Sequence, residues 1–160
     1  METITITTSF KVFEDVNELP EKIQALMKQA VEARNNAYAP YSNFQVGAAV
    51  LLKGGTIVQG NNQENASYPS GLCAERTAIY AAGANHPGKR IVAIVITAAS
   101  KNHPVTAPAA PCGACRQALI EYEKKQQKSI PLYFMGESGN IIMANAVADL
   151  QPLSFDSALL

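Results

Sequence analysis

Residues 131–145 read Pro131-Leu-Tyr-Phe-Met-Gly-Glu-Ser-Gly-Asn-Ile-Ile-Met-Ala-Asn145. Two short apolar runs, Pro131 to Met135 and Ile141 to Asn145, flank a Gly136-Glu-Ser-Gly-Asn140 link made of turn residues. So short a link permits only an antiparallel pair of strands, because a parallel crossover needs a dozen or more residues. Working outward, Cys112 to Lys124 reads as a helix and Arg90 to Ala98 as a buried strand. Further upstream, Cys73 to Ala82 reads as a second helix. Phe44 to Lys53 and Thr56 to Gly60 form a hairpin about the tight turn Gly54-Gly55. Ile23, Leu26, Met27, Ala30 and Val31 fall on one face of a helix running from about Pro20 to Asn36. Val147 to Gln151 predicts a helical turn. Helices interleaved with strands, ending in an antiparallel pair, predict an α/β fold: a three-layer α/β/α sandwich on a five-stranded mixed sheet.

The remaining sequence sets boundaries on this reading. Ile4 and Ile6 alternate with Thr3, Thr5 and Thr7, which predicts a short strand at a sheet edge or a subunit interface. The expected organisation is an N-terminal extension, residues 1–19, followed by one domain, residues 20–160. The chain has 160 residues, enough for one core without covalent staples. Thirteen Lys and Arg balance thirteen Asp and Glu, so the basic surplus of a nucleic-acid-binding protein is absent. Charged residues make up 16% of the chain against a usual value of about 25%, which predicts surface buried between subunits. The apolar run beginning at Ile91 is far short of the roughly 20 residues a membrane-spanning helix needs. No signal peptide is visible at the start. Three cysteines cannot all pair within one chain, so a disulfide framework is not expected. The expectation is a soluble cytoplasmic protein with no membrane or nucleic-acid partner.

Every cysteine falls at the start of a predicted helix. Cys112 and Cys115 are spaced i, i+3 and share one face of a first helical turn. Cys73 begins the other helix, with Glu75 two residues on. Four thiolates would close a structural zinc site, whereas three protein ligands leave the fourth position to water, as in catalytic zinc sites. A water so held ionises near pH 7, and Glu75 is placed to carry its proton to a substrate. A closed site completed by His86 or His103 is the structural alternative. Three thiolates on Zn²⁺ leave a net negative charge, which two helix N-termini and Arg76 or Arg116 are placed to offset.

Cys73-Ala-Glu-Arg-Thr77 followed by Pro111-Cys-Gly-Ala-Cys-Arg-Gln117 resembles the zinc nucleoside deaminases, specifically the cytidine deaminases. The likeness extends to Tyr38-Ala-Pro-Tyr-Ser-Asn-Phe-Gln-Val-Gly-Ala-Ala49 and Gly60-Asn-Asn-Gln-Glu-Asn-Ala-Ser-Tyr68, and spans roughly Ile23 to Phe155. It implies one Zn²⁺ per subunit on Cys73, Cys112 and Cys115, with Glu75 as proton shuttle. It further implies that Asn62 and Glu64 hold the ribose, that Phe44 packs on the nucleoside, and that the backbone of Ala74 meets the base edge. Family members with three cysteine ligands are similar in being homotetramers with shared sites. By that likeness Phe155 would reach a neighbour's site and stack on the base, and Tyr68 would contribute likewise. The implied reaction is hydrolytic deamination of cytidine and deoxycytidine to uridine and deoxyuridine plus ammonia, a step of pyrimidine salvage. A deaminase of a related heterocycle such as blasticidin S, and a non-enzymatic zinc module, are the alternatives. The first twenty residues, a longer loop from Ser100 to Pro111, and a tail after Phe155 with Asp156 as its one acidic residue depart from the family pattern.

Overall fold

A computed structural model describes residues 1–156 and 160. In chain order the elements are β1 (Phe10–Phe13), α1 (Glu21–Asn35), β2 (Phe44–Leu52), β3 (Ile57–Asn61), α2 (Ala74–Asn85), β4 (Ile91–Ser100), α3 (Gly113–Gln126), β5 (Leu132–Met135) and β6 (Ile141–Ala144). Single 3₁₀ turns occupy Val16–Glu18, Tyr68–Ser70 and Val147–Leu150. The strands form one mixed sheet in the order β1-β6-β5-β4-β2-β3. Only β4 and β5 run parallel, joined by the α3 crossover; β5 and β6 are antiparallel, as their short link requires.

Strand alternation sends residues to two apolar layers. Ala48, Val50, Ile94, Ile96 and Leu132 face α2 and α3, where they meet Ala78, Ile79, Leu119 and Ile120. Ala49, Val95 and Tyr133 face the other way, onto Ile23, Leu26, Met27 and Ala30 of α1. Ile23, Leu26, Met27 and Ala30 of the predicted α1 face are buried, with Ala33 as well, whereas Val31 is only half-buried at the edge of that face.

Two glycines set how closely the layers approach. A Cβ on Gly47 would lie 2.0 Å from the Ala30 carbonyl oxygen, so β2 and α1 touch backbone to backbone. A Cβ on Gly60 would lie 2.4 Å from the Ala78 nitrogen and 2.6 Å from the Ala74 oxygen. The first turns of α2 therefore rest directly on β3, and this contact fixes where Cys73 and Glu75 sit.

The sheet has six strands, one more than the sequence reading predicts. The additional strand comes from the N-terminal extension but lies at Phe10–Phe13, not at residues 3–7. Register explains the difference. Phe10 already pairs with Ala144, the last residue of β6, so the chain before Phe10 runs past the end of its partner. Ile4 and Ile6 are left exposed, while Phe13 and Val16 pack against the α1-side core.

Candidate metal centre and substrate cavity

The two helices that follow β3 and the loop after β4 bring their N-termini together. Cys73 is the N-cap of α2 and Cys112 the N-cap of α3. A cap side chain ordinarily accepts a hydrogen bond from the first turn. Neither thiol does so, which leaves both sulfurs available. Cys115, one turn into α3, is fully buried behind them. The three sulfurs lie within 4.8 Å of one another, and Cys112 Sγ is 3.5 Å from Cys115 Sγ. Tetrahedral zinc with bonds of about 2.3 Å places its sulfur ligands about 3.8 Å apart, so the donor set fits zinc in both chemistry and spacing. His86 sits at the far end of α2, about 18 Å of helix away at ~1.5 Å per residue, and does not complete a closed site. His103 is exposed in the loop after β4.

The electrostatics favour a cation among these sulfurs. A hydrogen bond from the Cys115 thiol, aided by Arg76, lowers the Cys73 pKa to about 5. The same hydrogen bond, together with burial, pushes the Cys115 thiol well up. A metal ion removes this conflict, because it lets all three sulfurs ionise together. Arg76 Nη2 donates to Cys73 Sγ at 3.5 Å. Its buried Nε has no hydrogen-bond partner. Glu75 is 5% exposed, and burial raises its carboxyl pKa, with the Cys73 charge adding to the effect. A carboxyl held in this way suits proton transfer near neutral pH.

In front of the sulfurs opens a cavity of about 570 Å³, within the usual range for small-molecule sites. Cys73, Cys112, Glu75 and Arg76 line it together with Phe44, Asn62, Glu64 and Tyr68. The structure therefore brings eight of the residues singled out in the sequence to one space. Asn62 is held by the first residues of β2, and Glu64 by the loop that precedes that strand. Asn62 Oδ1 accepts from Val46 N at 2.8 Å, and Asn62 Nδ2 donates to the Phe44 carbonyl at 2.9 Å, which leaves one amide hydrogen free. Glu64 Oε2 accepts from the backbone nitrogens of Tyr41 and Ser42 at 2.9 and 3.3 Å. Glu64 Oε1 accepts from the Ser42 hydroxyl at 2.5 Å. These donors, the Ser42 hydroxyl foremost, lower the Glu64 pKa.

The remaining candidates stand elsewhere. Ala74 is fully buried, and as the first residue of α2 its N–H has no partner within the helix. Phe155 does not line the cavity of its own chain; its ring is 57% exposed and its carbonyl accepts from Gln117. Arg116 does not follow the expectation of a donor to a thiolate. Its Nε donates to the Pro111 carbonyl at 2.8 Å and its Nη1 to the Leu150 carbonyl at 2.9 Å, which ties the tail to α3. Sequence reasoning missed the cavity residues Tyr41, Ser42, Val46, Leu72 and Ala110. Tyr41, Ser42 and Val46 fall within the Tyr38–Ala49 block, but no spacing rule distinguishes them there. Tyr41 and Tyr68 form an aromatic pair at the rim, with ring centroids 6.0 Å apart.

A family model described as the cytidine and deoxycytidylate deaminase zinc-binding region matches residues 20–129. A cytidine deaminase of Halalkalibacterium halodurans is 43% identical over 133 residues, which is 82% of this chain and 92% of that protein. A cytidine deaminase of Sporosarcina psychrophila is 39% identical over 83% of this chain and 90% of its own. Among solved structures, a cytidine deaminase from Burkholderia pseudomallei is 40% identical and has a TM-score of 0.71, covering 82% of this chain and 97% of that one.

Proposed function

Because this chain belongs to the cytidine and deoxycytidylate deaminase family, we infer that it is a zinc-dependent hydrolase converting cytidine and water to uridine and ammonia. The observation that carries this reading is the buried carboxyl group of Glu75 beside three converging sulfurs, on the wall of a nucleoside-sized cavity. Zinc held by Cys73, Cys112 and Cys115 supplies an activated water nucleophile at neutral pH. Glu75 takes the proton of that water and delivers it to N3 of the pyrimidine as C4 is attacked. It then takes the remaining proton of the hydroxyl added at C4 and passes it to the amino group, which leaves as ammonia, so the carboxylate ends the cycle as it began. Glu64 and the free hydrogen of the Asn62 amide bind sugar hydroxyls, Phe44 packs on the nucleoside, and the Ala74 N–H meets the base edge. Arg76 offsets the negative charge of the three thiolates.

A free nucleoside suits this cavity better than its 5′-phosphate. Arg76 is the one cationic side chain on the cavity wall among the described residues, and it is occupied by Cys73. Glu64 adds a negative charge at the sugar end. Cytidine and deoxycytidine are both substrates on this reading. We further place the enzyme in the cytoplasm, where thiol ligands stay reduced, and assign it a homotetramer with shared sites. The exposed aromatic rim of Tyr38, Tyr41 and Tyr68 and the exposed Phe155 support that assembly. Mass measurement in solution tests it. The activity is tested by loss of cytosine absorbance together with metal analysis, on the wild type and on Glu75→Ala. Zinc in both and turnover only in the wild type is the expected result. A folded, zinc-loaded wild type that leaves cytidine intact would refute the assignment.

A further inference from the structure

We propose that Ser42 is a positioning residue for Glu64, aiming one lone pair of its carboxylate at a hydroxyl of the substrate's sugar. The proposal rests on the reading that Glu64 binds the sugar. Glu64 follows β3, and its backbone is anchored: its N–H donates to the Tyr38 carbonyl at 2.8 Å and the preceding Gln63 bridges Tyr38 and Leu72, but these bonds do not orient its side chain. What holds it is the turn before β2. The Ser42 hydroxyl donates to Oε1, while the Tyr41 and Ser42 amides donate to Oε2. A carboxylate offers about four lone-pair sites. Among the described residues three are filled, and the one left on Oε1 is the acceptor direction open to a ligand.

The serine is itself fixed from both sides. Its oxygen accepts from Phe44 N at 3.0 Å, so its single hydrogen is directed away from β2 and toward Glu64. The next residue, Asn43, has φ 57°, a left-handed conformation that asparagine adopts more readily than most residues. Asn43 is fastened to the loop after β4: its carbonyl accepts from Lys101 N at 3.0 Å, and its amide donates to Asn102 Oδ1 at 3.3 Å. The loop after β4 therefore begins by clamping the turn that orients Glu64. The lowered pKa of Glu64 agrees with this arrangement, since each donor favours the ionised acceptor form.

The test compares cytidine with 2′,3′-dideoxycytidine, which lacks the 2′- and 3′-hydroxyls, the ones the proposal assigns to Glu64, and keeps only the 5′-hydroxyl. Ser42→Ala is expected to raise KM for cytidine about tenfold, the scale of one charge-assisted hydrogen bond, with kcat nearly unchanged. KM for the dideoxy compound stays at its wild-type value, and Ser42→Thr, which keeps the hydroxyl, restores most of the cytidine affinity. In a Glu64→Ala background, Ser42→Ala adds nothing further. Equal KM increases for both nucleosides, an unchanged KM for cytidine, or a full effect of Ser42→Ala without Glu64 would each overturn the proposal. Failure of the underlying reading is seen separately: Glu64→Ala would then leave the ratio of the two KM values as in the wild type.

Discussion

Gly60→Ala tests whether the position of the catalytic helix is set by backbone contact with β3. The added Cβ would lie 2.4 Å from Ala78 N, 2.6 Å from Ala74 O and 2.8 Å from Ala78 Cα. All three obstacles are backbone, so no side chain can rotate away. Ordinary contact needs about 3.4 Å, so α2 must retreat by about 1 Å at this point. Overpacking of this kind costs about 1–3 kcal/mol. For a chain of this length, about 2 kcal/mol corresponds to a Tm loss of roughly 6 °C. The functional loss should be larger than the stability loss suggests, because Cys73 and Glu75 ride on the turn that moves. A misplacement of about 1 Å costs on the order of 100-fold in rate. The assays are a thermal melt, zinc content, and kcat/KM on cytidine. Gly113→Ala is the control. It lies beside Cys112 in the first turn of α3, but an added Cβ there meets nothing within 4 Å. It should be neutral or stabilising by up to about 1 kcal/mol. Wild-type Tm and wild-type kcat/KM in Gly60→Ala would refute the claim that the β3–α2 contact places the site.

Four further outcomes are expected. Glu75→Gln should keep its zinc by metal analysis while kcat falls about 100- to 10,000-fold, the range for loss of a general acid–base. Glu123 is a buried carboxylate that accepts from Ile130 N, Val147 N and Ala148 N. Glu123→Ala leaves these donors unpaired and should cost about 3 kcal/mol or more by denaturant unfolding, with little change in KM for the fraction that is folded. Arg76→Gln should lower kcat about tenfold with an unaltered melt, whereas Arg116→Gln should lower the melt with near-wild-type kinetics, because Arg116 binds the Pro111 and Leu150 carbonyls. A chain beginning at Ser9 should melt as the full chain does. One beginning at Leu19 should melt lower, since it loses β1 and the buried contacts of Phe13 and Val16.

Much of the fold was legible because its signals are local. The Pro131–Asn145 hairpin, the Gly54-Gly55 turn and the face of α1 each follow from a period or a link length that short-range sterics impose. The pairing partner of the N-terminal extension is not local. Ile4 and Ile6 have the better strand alternation, yet Phe10–Phe13 form the strand, because β6 ends at Ala144 and offers no backbone to anything upstream. Tyr41 and Ser42 were overlooked as site residues for a similar reason: their partner Glu64 is more than twenty positions away.

The sequence by itself determined the chemistry of this protein. Three cysteines at helix starts and an acid two residues after the first supply, by residue type, the metal-ligand and proton-transfer set proposed above. The tertiary structure decided which side chains are free to serve that set. Arg76 and Arg116 each lie within a turn of a cysteine, and helical geometry does not separate them. What separates them is the Leu150 carbonyl, brought to Arg116 by the folding back of a tail thirty-four residues away, while Arg76 is left facing the sulfur of Cys73. Likewise Asn62 and Glu64 are polar residues in a loop until the turn at Tyr41 and Ser42 supplies the amides that orient Glu64, and the start of β2 the amide and carbonyl that orient Asn62. Donors and acceptors are written in the sequence, but their pairing depends on distances that exist only once the chain has folded.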